Sequence, residues 1–185
     1  MASESSDPIA NWPTDRRTLD ELFSATYEEL RRLAARVRGD DPGATLNPTA
    51  LVNEAWLKLS ASPHLGVASR LHFRRLAARA MRQVLIEAAR KRRAEKRGAG
   101  AGAVTFDDAL GVSAPATEEE MLALDAALDA LARVSPRQAA MVESRYFGGL
   151  DVAETAELLG VSEATVLRDW RTAKAWLANE LRAER

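Results

Sequence analysis

Arginine side chains carry the most specific chemistry in this sequence, and they concentrate in two segments. Residues 70–98, RLHFRRLAARAMRQVLIEAARKRRAEKRG, hold eleven Lys and Arg against two acids. Arg168 and Arg171 lie in the second segment, AETAELLGVSEATVLRDWRTAKAWL, residues 153–177. A guanidinium group binds phosphate through paired hydrogen bonds and can grip the edge of guanine in the major groove. Both segments therefore predict contact with nucleic acid.

The residues that catalysis requires are scarce. The chain has no cysteine, which excludes disulfides, thiolate metal sites and a cysteine nucleophile. Its two histidines, His64 and His72, fall in predicted loops. Among the acidic residues, Asp40-Asp41 comes closest to the clustered carboxylates that a metal site requires. A DNA enzyme such as a recombinase needs a nucleophile or clustered carboxylates. We therefore expect no enzymatic activity, no metal and no cofactor.

The second arginine segment predicts a helix-turn-helix. Ala156 is small enough for the contact between the helices, Gly160 suits the turn, and Ser162 can cap the second helix. We expect one face of that helix to be buried and the opposite face to point outward, the buried residues being Val166, Trp170, Ala173 and Leu177 and the outward ones Ala164, Leu167, Arg168, Arg171 and Ala175. Trp170 and Trp176 are expected to pack in the core rather than to stack on bases. An ordinary helical hairpin with exposed charges is the alternative.

The basic segment predicts one long helix with two faces, from about Ser69 to Lys96. One face is apolar (Ala77, Ala80, Met81, Val84, Leu85 and Ala88), and the other is polar (Arg79, Arg82, Gln83, Glu87 and Arg90). A helix that packs on one side and is cationic on the other is typical of nucleic-acid binding. The alternative is a charged face that only contacts solvent.

The remaining pattern predicts an all-α fold. One apolar stripe marks a first helix that Gly39 ends (Leu19, Leu22, Phe23, Tyr27, Leu30, Leu33 and Val37). A second helix starts at Asn47-Pro48, with Leu51, Ala55, Leu57 and Leu59 expected to face inward. Acidic residues 118–120 suit the start of another helix, and Ser135-Pro136 predicts a cap followed by a first turn.

Charge and composition divide the chain into two small helical domains. Residues 1–97 carry 18 Lys and Arg against 12 acids, whereas residues 98–185 carry 8 against 15. Gly, Ala, Ser and Pro dominate residues 98–117, which predicts a flexible linker. We expect a flexible N-terminus over 1–17, domains over 18–97 and 118–185, no secretory signal, no membrane span and a cytoplasmic location.

Several motifs in both halves resemble those of one protein family. LDALARVSPRQ, RYFGGL, AELLGVS and TVLRDWRTAKAWL occur in that order in the C-terminal half. ALVNEAWLKL, followed by FRRLAARAMRQVLIEAARKRR, occurs in the N-terminal half. Together they resemble bacterial RNA polymerase sigma factors of the extracytoplasmic-function (ECF) group, over roughly residues 18–182 without the linker. The resemblance implies a transcription initiation factor that acts with core RNA polymerase and promoter DNA.

The resemblance also implies roles for individual residues. The second helix would bind polymerase, through Leu51, Val52, Glu54, Ala55 and Lys58. The helix-turn-helix would read the −35 duplex, through Ser162, Glu163, Thr165, Arg168, Arg171 and Lys174. The basic helix would hold the −10 region as single strand, through His72, Arg79, Arg82, Gln83, Glu87, Arg90 and Lys91, with the loop SASPHLGVASRLHF as a pocket wall for an extruded base. Phe73 is expected in the core, and linker residues Asp107 and Asp108 would lie near the path of RNA.

The sequence departs from the family just before the second helix. Relatives usually carry several acids there, but this chain has Asn47-Pro48-Thr49-Ala50. Apolar contacts to polymerase could compensate for the missing charge. Alternatively, a Ser/Thr kinase could supply it, because phosphate on Thr49 or Thr45 would add negative charge at a helix N-terminus.

A free-standing helix-turn-helix regulator is the main rival interpretation. Such a regulator would bind duplex DNA as a dimer without polymerase. The sequence shows no dimerisation helix, and its acidic C-terminal half predicts weak affinity for DNA when it acts alone. We therefore expect a monomer when the protein is free, controlled by an anti-sigma factor, by a kinase or by its own abundance.

Overall fold

The computed structural model describes residues 16–38, 46–62, 66–95 and 117–183. Within these ranges the chain is all-helical and contains no β-strand. Its helices are α1 (Arg16–Arg38), α2 (Pro48–Ser60), α3 (Arg70–Glu95), α4 (Glu118–Val134), α5 (Pro136–Tyr146), α6 (Val152–Leu159) and α7 (Glu163–Ala183). The predicted all-α fold is confirmed.

Helices α1, α2 and α3 pack against one another around an apolar core. Phe73 on α3 and Leu51 on α2 are fully buried, and Leu30 on α1 is 2% exposed. Phe23 stacks on Trp56, with 4.5 Å between the ring centroids, and this contact joins α1 to α2. Burial of a single large apolar side chain contributes about 1.5–3 kcal/mol, so this core fixes the direction of α3.

Helix α2 begins as its sequence predicts. The Asn47 side chain accepts a hydrogen bond from the Ala50 N–H at 2.8 Å, and Pro48 occupies the first helical position. Leu51, Ala55 and Leu59 are buried, but Leu57 is 58% exposed, so the prediction that Leu57 faces inward is wrong. A step of two residues turns a helix by about 200°, which places Leu57 opposite Ala55 and Leu59.

Helices α4 to α7 form the second half of the molecule. Thr117 and Glu120 form a capping box that starts α4, and Asp151 and Glu154 form another that starts α6. Ser135 precedes α5 as predicted, but its hydroxyl makes no capping hydrogen bond. The centre of this half is apolar and is formed by Leu124, Leu128, Leu131, Met141, Phe147, Leu150 and Leu177, each no more than 2% exposed.

The two halves are in contact with each other. Helix α3 packs against α4, α5 and α6, so the basic helix lies between the first half and the second. Ala78, Ile86 and Ala89 on α3 are buried, although the predicted apolar stripe does not include them. By helical periodicity they lie on the same side as Arg82, so α3 is covered on two sides rather than one.

Candidate nucleic-acid interface

The predicted turn between α6 and α7 is present, and a glycine makes it. Gly160 has φ 63° and ψ 37°, in the left-handed region that glycine occupies most easily. The Val161 N–H donates to the Ala156 carbonyl at 3.0 Å, which closes the end of α6. Ser162 then caps α7, because its hydroxyl accepts a hydrogen bond from the Thr165 N–H at 3.2 Å.

The two faces of α7 are arranged as the sequence predicts. Val166, Trp170, Ala173 and Leu177 are 1%, 9%, 0% and 1% exposed. Ala156 on α6 is also buried, in agreement with its predicted place at the helix contact. The residues predicted to point outward are all exposed, and they are Ala164, Leu167, Arg168, Arg171 and Ala175. The N-terminal half of α7 therefore offers two exposed cationic side chains on one surface, and Arg168 also lies 4.0 Å from the Asp169 carboxylate.

The other predicted −35 residues lie close to these two arginines. Glu163 is exposed in the first turn of α7, and Lys174 is half-buried further along the helix. The Ser162 and Thr165 hydroxyls lie 3.0 Å apart and form a hydrogen bond to each other. Both hydroxyls are thus engaged in the helix start, which gives them a local structural role.

Two partly buried polar contacts that the sequence did not reveal hold α7 in place. Asp169 is 7% exposed, and the Arg137 guanidinium of α5 donates to its carboxylate at 3.0 Å. The Arg145 guanidinium lies 4.4 Å from the centroid of the Trp170 ring. Burial lowers the pKa of Arg145, while the charge of Asp151 opposes that shift. Because the Trp170 ring is covered in this way, its predicted core role is favoured over base stacking.

Part of the predicted −10 surface is accessible on α3. The side chains of Arg79, Gln83, Glu87 and Lys91 are exposed, and that of Arg90 is 68% exposed. Glu87 also binds Lys58 of α2, with 2.7 Å between Nζ and Oε1. This face of α3 thus carries several cations and one carboxylate that is already paired.

Arg82 does not belong to that exposed face, so its predicted position is corrected. Its side chain is only 13% exposed because α4 and α5 cover it. Three carboxylates, which we call the acidic triad (Asp125, Asp129 and Glu143), surround the guanidinium at distances of 2.6 Å, 2.8 Å and 3.3 Å. Burial by itself lowers the pKa of Arg82, but the carboxylates together raise it above its ordinary value.

Arg74 of α3 forms a contact with the second half that the sequence did not predict. It donates to the carboxylate of Glu154 and to the carbonyl oxygens of Gly148 and Gly149 at 3.3 Å, and its side chain is 15% exposed. Near the other end of the same helix, Arg92 binds Glu118 at 2.8 Å. The sequence signal for these ion pairs was the opposite net charge of the two halves. Opposite charges favour attraction between the halves as well as different partners for each half.

His72 and Phe73 at the start of α3 have different environments. Phe73 is completely buried, so its predicted place in the core is confirmed. His72 is half-buried, and its Nδ1 accepts a hydrogen bond from the Ala68 N–H at 3.1 Å. Desolvation by burial and the charge of Arg75 lower the pKa of His72. The ring is therefore held in its neutral form at neutral pH.

The predicted polymerase-binding helix presents a smaller surface than the resemblance implied. Leu51, Val52 and Ala55 are 0%, 1% and 3% exposed, so these side chains cannot themselves form a docking surface and that part of the prediction is corrected. Glu54 is exposed, and Lys58 is half-buried in its ion pair. The apolar spacing of α2 marks its inner face, which explains why residues named by resemblance proved to be core.

Several predicted residues lie outside the described ranges. They are Gly39, Asp40, Asp41, Thr45, His64, Asp107 and Asp108, together with most of the predicted linker and the centre of the predicted loop before α3. Thr49 is described and is exposed in the first turn of α2. Among the described residues no group of three or more His, Cys, Asp and Glu side chains is placed to hold a metal ion. No helix in the described ranges is long and apolar enough to cross a membrane.

The family model for the ECF sigma factor matches residues 13–183, which is most of the chain. The chain belongs to the ECF sigma factor family. A match across both halves favours this assignment over a free-standing regulator, whose similarity would be confined to the helix-turn-helix. Membership gives this ECF sigma factor a role in transcription initiation with RNA polymerase and promoter DNA. Neither the comparison with curated proteins nor that with solved structures gives a match.

Proposed function

We propose that this sigma factor reads the −35 duplex with the outward face of α7 and holds the −10 region as single strand with α3. The observation that carries the first part is the exposure of Arg168 and Arg171 on a helix whose opposite face is buried in the core. In a helix-turn-helix the N-terminal part of the second helix enters the major groove. An arginine that grips guanine there contributes about 1–3 kcal/mol of discrimination.

The test is run-off transcription with bacterial core polymerase on genomic fragments, which also identifies the promoter. Replacement of both Arg168 and Arg171 by alanine should abolish most promoter-specific transcript. Arg182→Ala is a matched control, because Arg182 is an exposed arginine in the last turn of the same helix. Equal transcription by the double variant and the control would refute the assignment of this face.

The −10 role of α3 is supported by its exposed polar face. Arg79, Arg90 and Lys91 can contact phosphates, and the amide of Gln83 can bond a base edge. Gln83→Ala should reduce opening of the promoter, as measured by permanganate reactivity of unpaired thymines, without reducing binding to polymerase. Unchanged reactivity at saturating protein would contradict a role for Gln83 in strand capture.

Docking on polymerase is proposed to use the outward side of α2. Glu54 and Lys58 are the residues named from the sequence that retain accessible surface, and Leu57 adds an exposed apolar side chain next to them. Leu57→Asp should weaken retention of the protein on immobilised core polymerase without loss of helicity, because Leu57 does not support the core. Ser24→Asp, an exposed change on α1, is the control.

Phosphorylation of Thr49 is proposed as a way to strengthen that docking. Thr49 is exposed at the second position of α2, and the first turn of α2 contains no acid. A phosphate there would add about −1.5 to −2 charges where the helix dipole favours anions. A polymerase pull-down should retain more wild-type protein after treatment with a Ser/Thr kinase, whereas Thr49→Ala should show no gain. Equal retention of treated and untreated wild type would end the idea, and Thr45 is the second site to test.

A further inference from the structure

The acidic triad and Arg82 form the most heavily charged contact between the two halves. One guanidinium faces three carboxylates, and the Arg82 side chain is almost inaccessible to solvent. We propose that the acidic triad acts as an internal phosphate mimic, which keeps Arg82 from single-stranded DNA until the halves of the chain separate. This inference rests on the proposed role of α3 in strand capture.

Charge and geometry favour competition between the triad and DNA. Carboxylates and phosphates bind guanidinium in the same way, through short charge-assisted hydrogen bonds. Arg82 Nε donates to Asp125 at 2.8 Å, and Arg82 Nη2 donates to Asp129 at 2.8 Å. The third guanidinium nitrogen donates to Glu143 of α5 at 3.3 Å. With all three nitrogens engaged and the side chain 13% exposed, a phosphate cannot reach Arg82 unless α4 and α5 move away.

Further ion pairs cover the same side of α3. Arg74 binds Glu154 near the start of α3, and Arg92 binds Glu118 near its end. By contrast, Arg79, Gln83 and Lys91 stay exposed. In the free protein, one face of the basic helix is thus exposed and another is covered by the second half. DNA can bind weakly to the exposed face before the covered face becomes accessible.

The interface between the halves is not sealed along its length. An open groove of about 710 Å³ separates the C-terminal part of α3 from α4 and α7, with Arg90, Arg93, Asp129 and Arg133 along its walls. Polar and charged interfaces of this kind are typical of domains that move relative to one another. The acidic triad is therefore placed where its neutralisation should shift the balance between closed and open states.

The first test compares the affinity of full-length proteins for a labelled single-stranded oligonucleotide of mixed sequence, measured by fluorescence anisotropy. Asp125→Asn combined with Asp129→Asn should bind roughly 10-fold more tightly than wild type, within the usual range of coupling between two sites. Glu21→Gln combined with Glu28→Gln is the control, because it changes net charge equally on exposed acids of α1. We call the protein with Asp125→Asn and Asp129→Asn the triad variant. Addition of Arg82→Gln to it should remove the gain in affinity.

The second test measures the separation of the halves directly. The chain has no cysteine, so spin labels can be attached only at introduced positions, and Ser24→Cys with Ala132→Cys places one exposed label on each half. Pulsed electron paramagnetic resonance should give a narrow distance distribution for the wild-type background and a broader, longer one for the triad variant. Circular dichroism should show the same helicity for both.

Unchanged affinity relative to the control, or unchanged distances, would overturn the inference. The distance measurement involves neither DNA nor polymerase, so its failure concerns the acidic triad alone. A pull-down in which unmodified and kinase-treated wild-type protein both fail to bind core polymerase would instead overturn the proposed function.

Discussion

Replacement of Gly160 by alanine tests the turn that orients α7. Gly160 has φ 63°, and a Cβ atom added there would meet no other atom within 4 Å. The cost is therefore that of the backbone conformation alone, which is about 1–2 kcal/mol for an ordinary L-residue in the left-handed region. We expect the free energy of unfolding to fall by this amount. Gly160→Asn should recover part of the loss, because asparagine adopts this conformation more readily.

Two other glycines give a graded comparison for the same assay. Gly149 also has a positive φ, 61°, but its added Cβ would lie 3.1 Å from Leu33 Cδ1, so Gly149→Ala should cost more. The added Cβ of Gly148 would lie 2.3 Å from the Ser144 carbonyl oxygen, which is backbone and cannot move cheaply. Gly148→Ala should therefore be the most destabilising of the three.

Urea denaturation followed by circular dichroism measures all four variants under the same conditions. The order of stability should be wild type, then Gly160→Ala, Gly149→Ala and Gly148→Ala. A Gly160→Ala variant as stable as wild type would refute the reasoning, since alanine would then be tolerated where the structure requires a left-handed residue.

Three further predictions concern the N-terminal half. Asn47→Ala removes the cap of α2 and should cost about 1 kcal/mol in urea denaturation, whereas no loss would mean that the bond to Ala50 is not formed. Phe73→Ala should cost about 3–5 kcal/mol in the same assay, and a loss below about 1 kcal/mol would show that the ring is not buried. The pKa of His72 is lowered from 6.5 by burial and by Arg75, so the unfolded chain takes up a proton that the folded chain does not. The stability that this pKa difference contributes is fully present above pH 6.5 and is lost as the pH falls below that value. On acidification, the melting temperature of wild type should therefore drop more than that of His72→Asn. Equal drops would contradict the pKa shift.

The sequence predicted those features that depend on local spacing and capping. The apolar face of α7, the Asn47 cap and the turn at Gly160 all follow from residues within a few positions of one another, and each is present. The capping box of Thr117 and Glu120 was readable from the same kind of signal, an acid three residues after a capping side chain.

Features that depend on contacts between distant segments were harder to predict from the sequence. Arg82 reads as a polar residue on an outward face, because its partners Asp125 and Asp129 lie more than 40 positions away in the sequence. Leu51 and Ala55 were assigned to polymerase by resemblance, although the apolar spacing of the second helix had already predicted that both face inward. The opposite charges of the two halves were the one long-range signal. We used them to divide the chain into two domains, although opposite charges also favour attraction between the halves.

Transcription by core polymerase reconstituted with this protein is the most direct test of the central claim, which is that the chain directs polymerase to promoters through α7 and α3. The account predicts discrete run-off transcripts from specific genomic fragments, dependent on the protein and lost when Arg168 and Arg171 are both replaced by alanine. Core polymerase that yields the same transcripts with and without the protein, before and after kinase treatment, would contradict it.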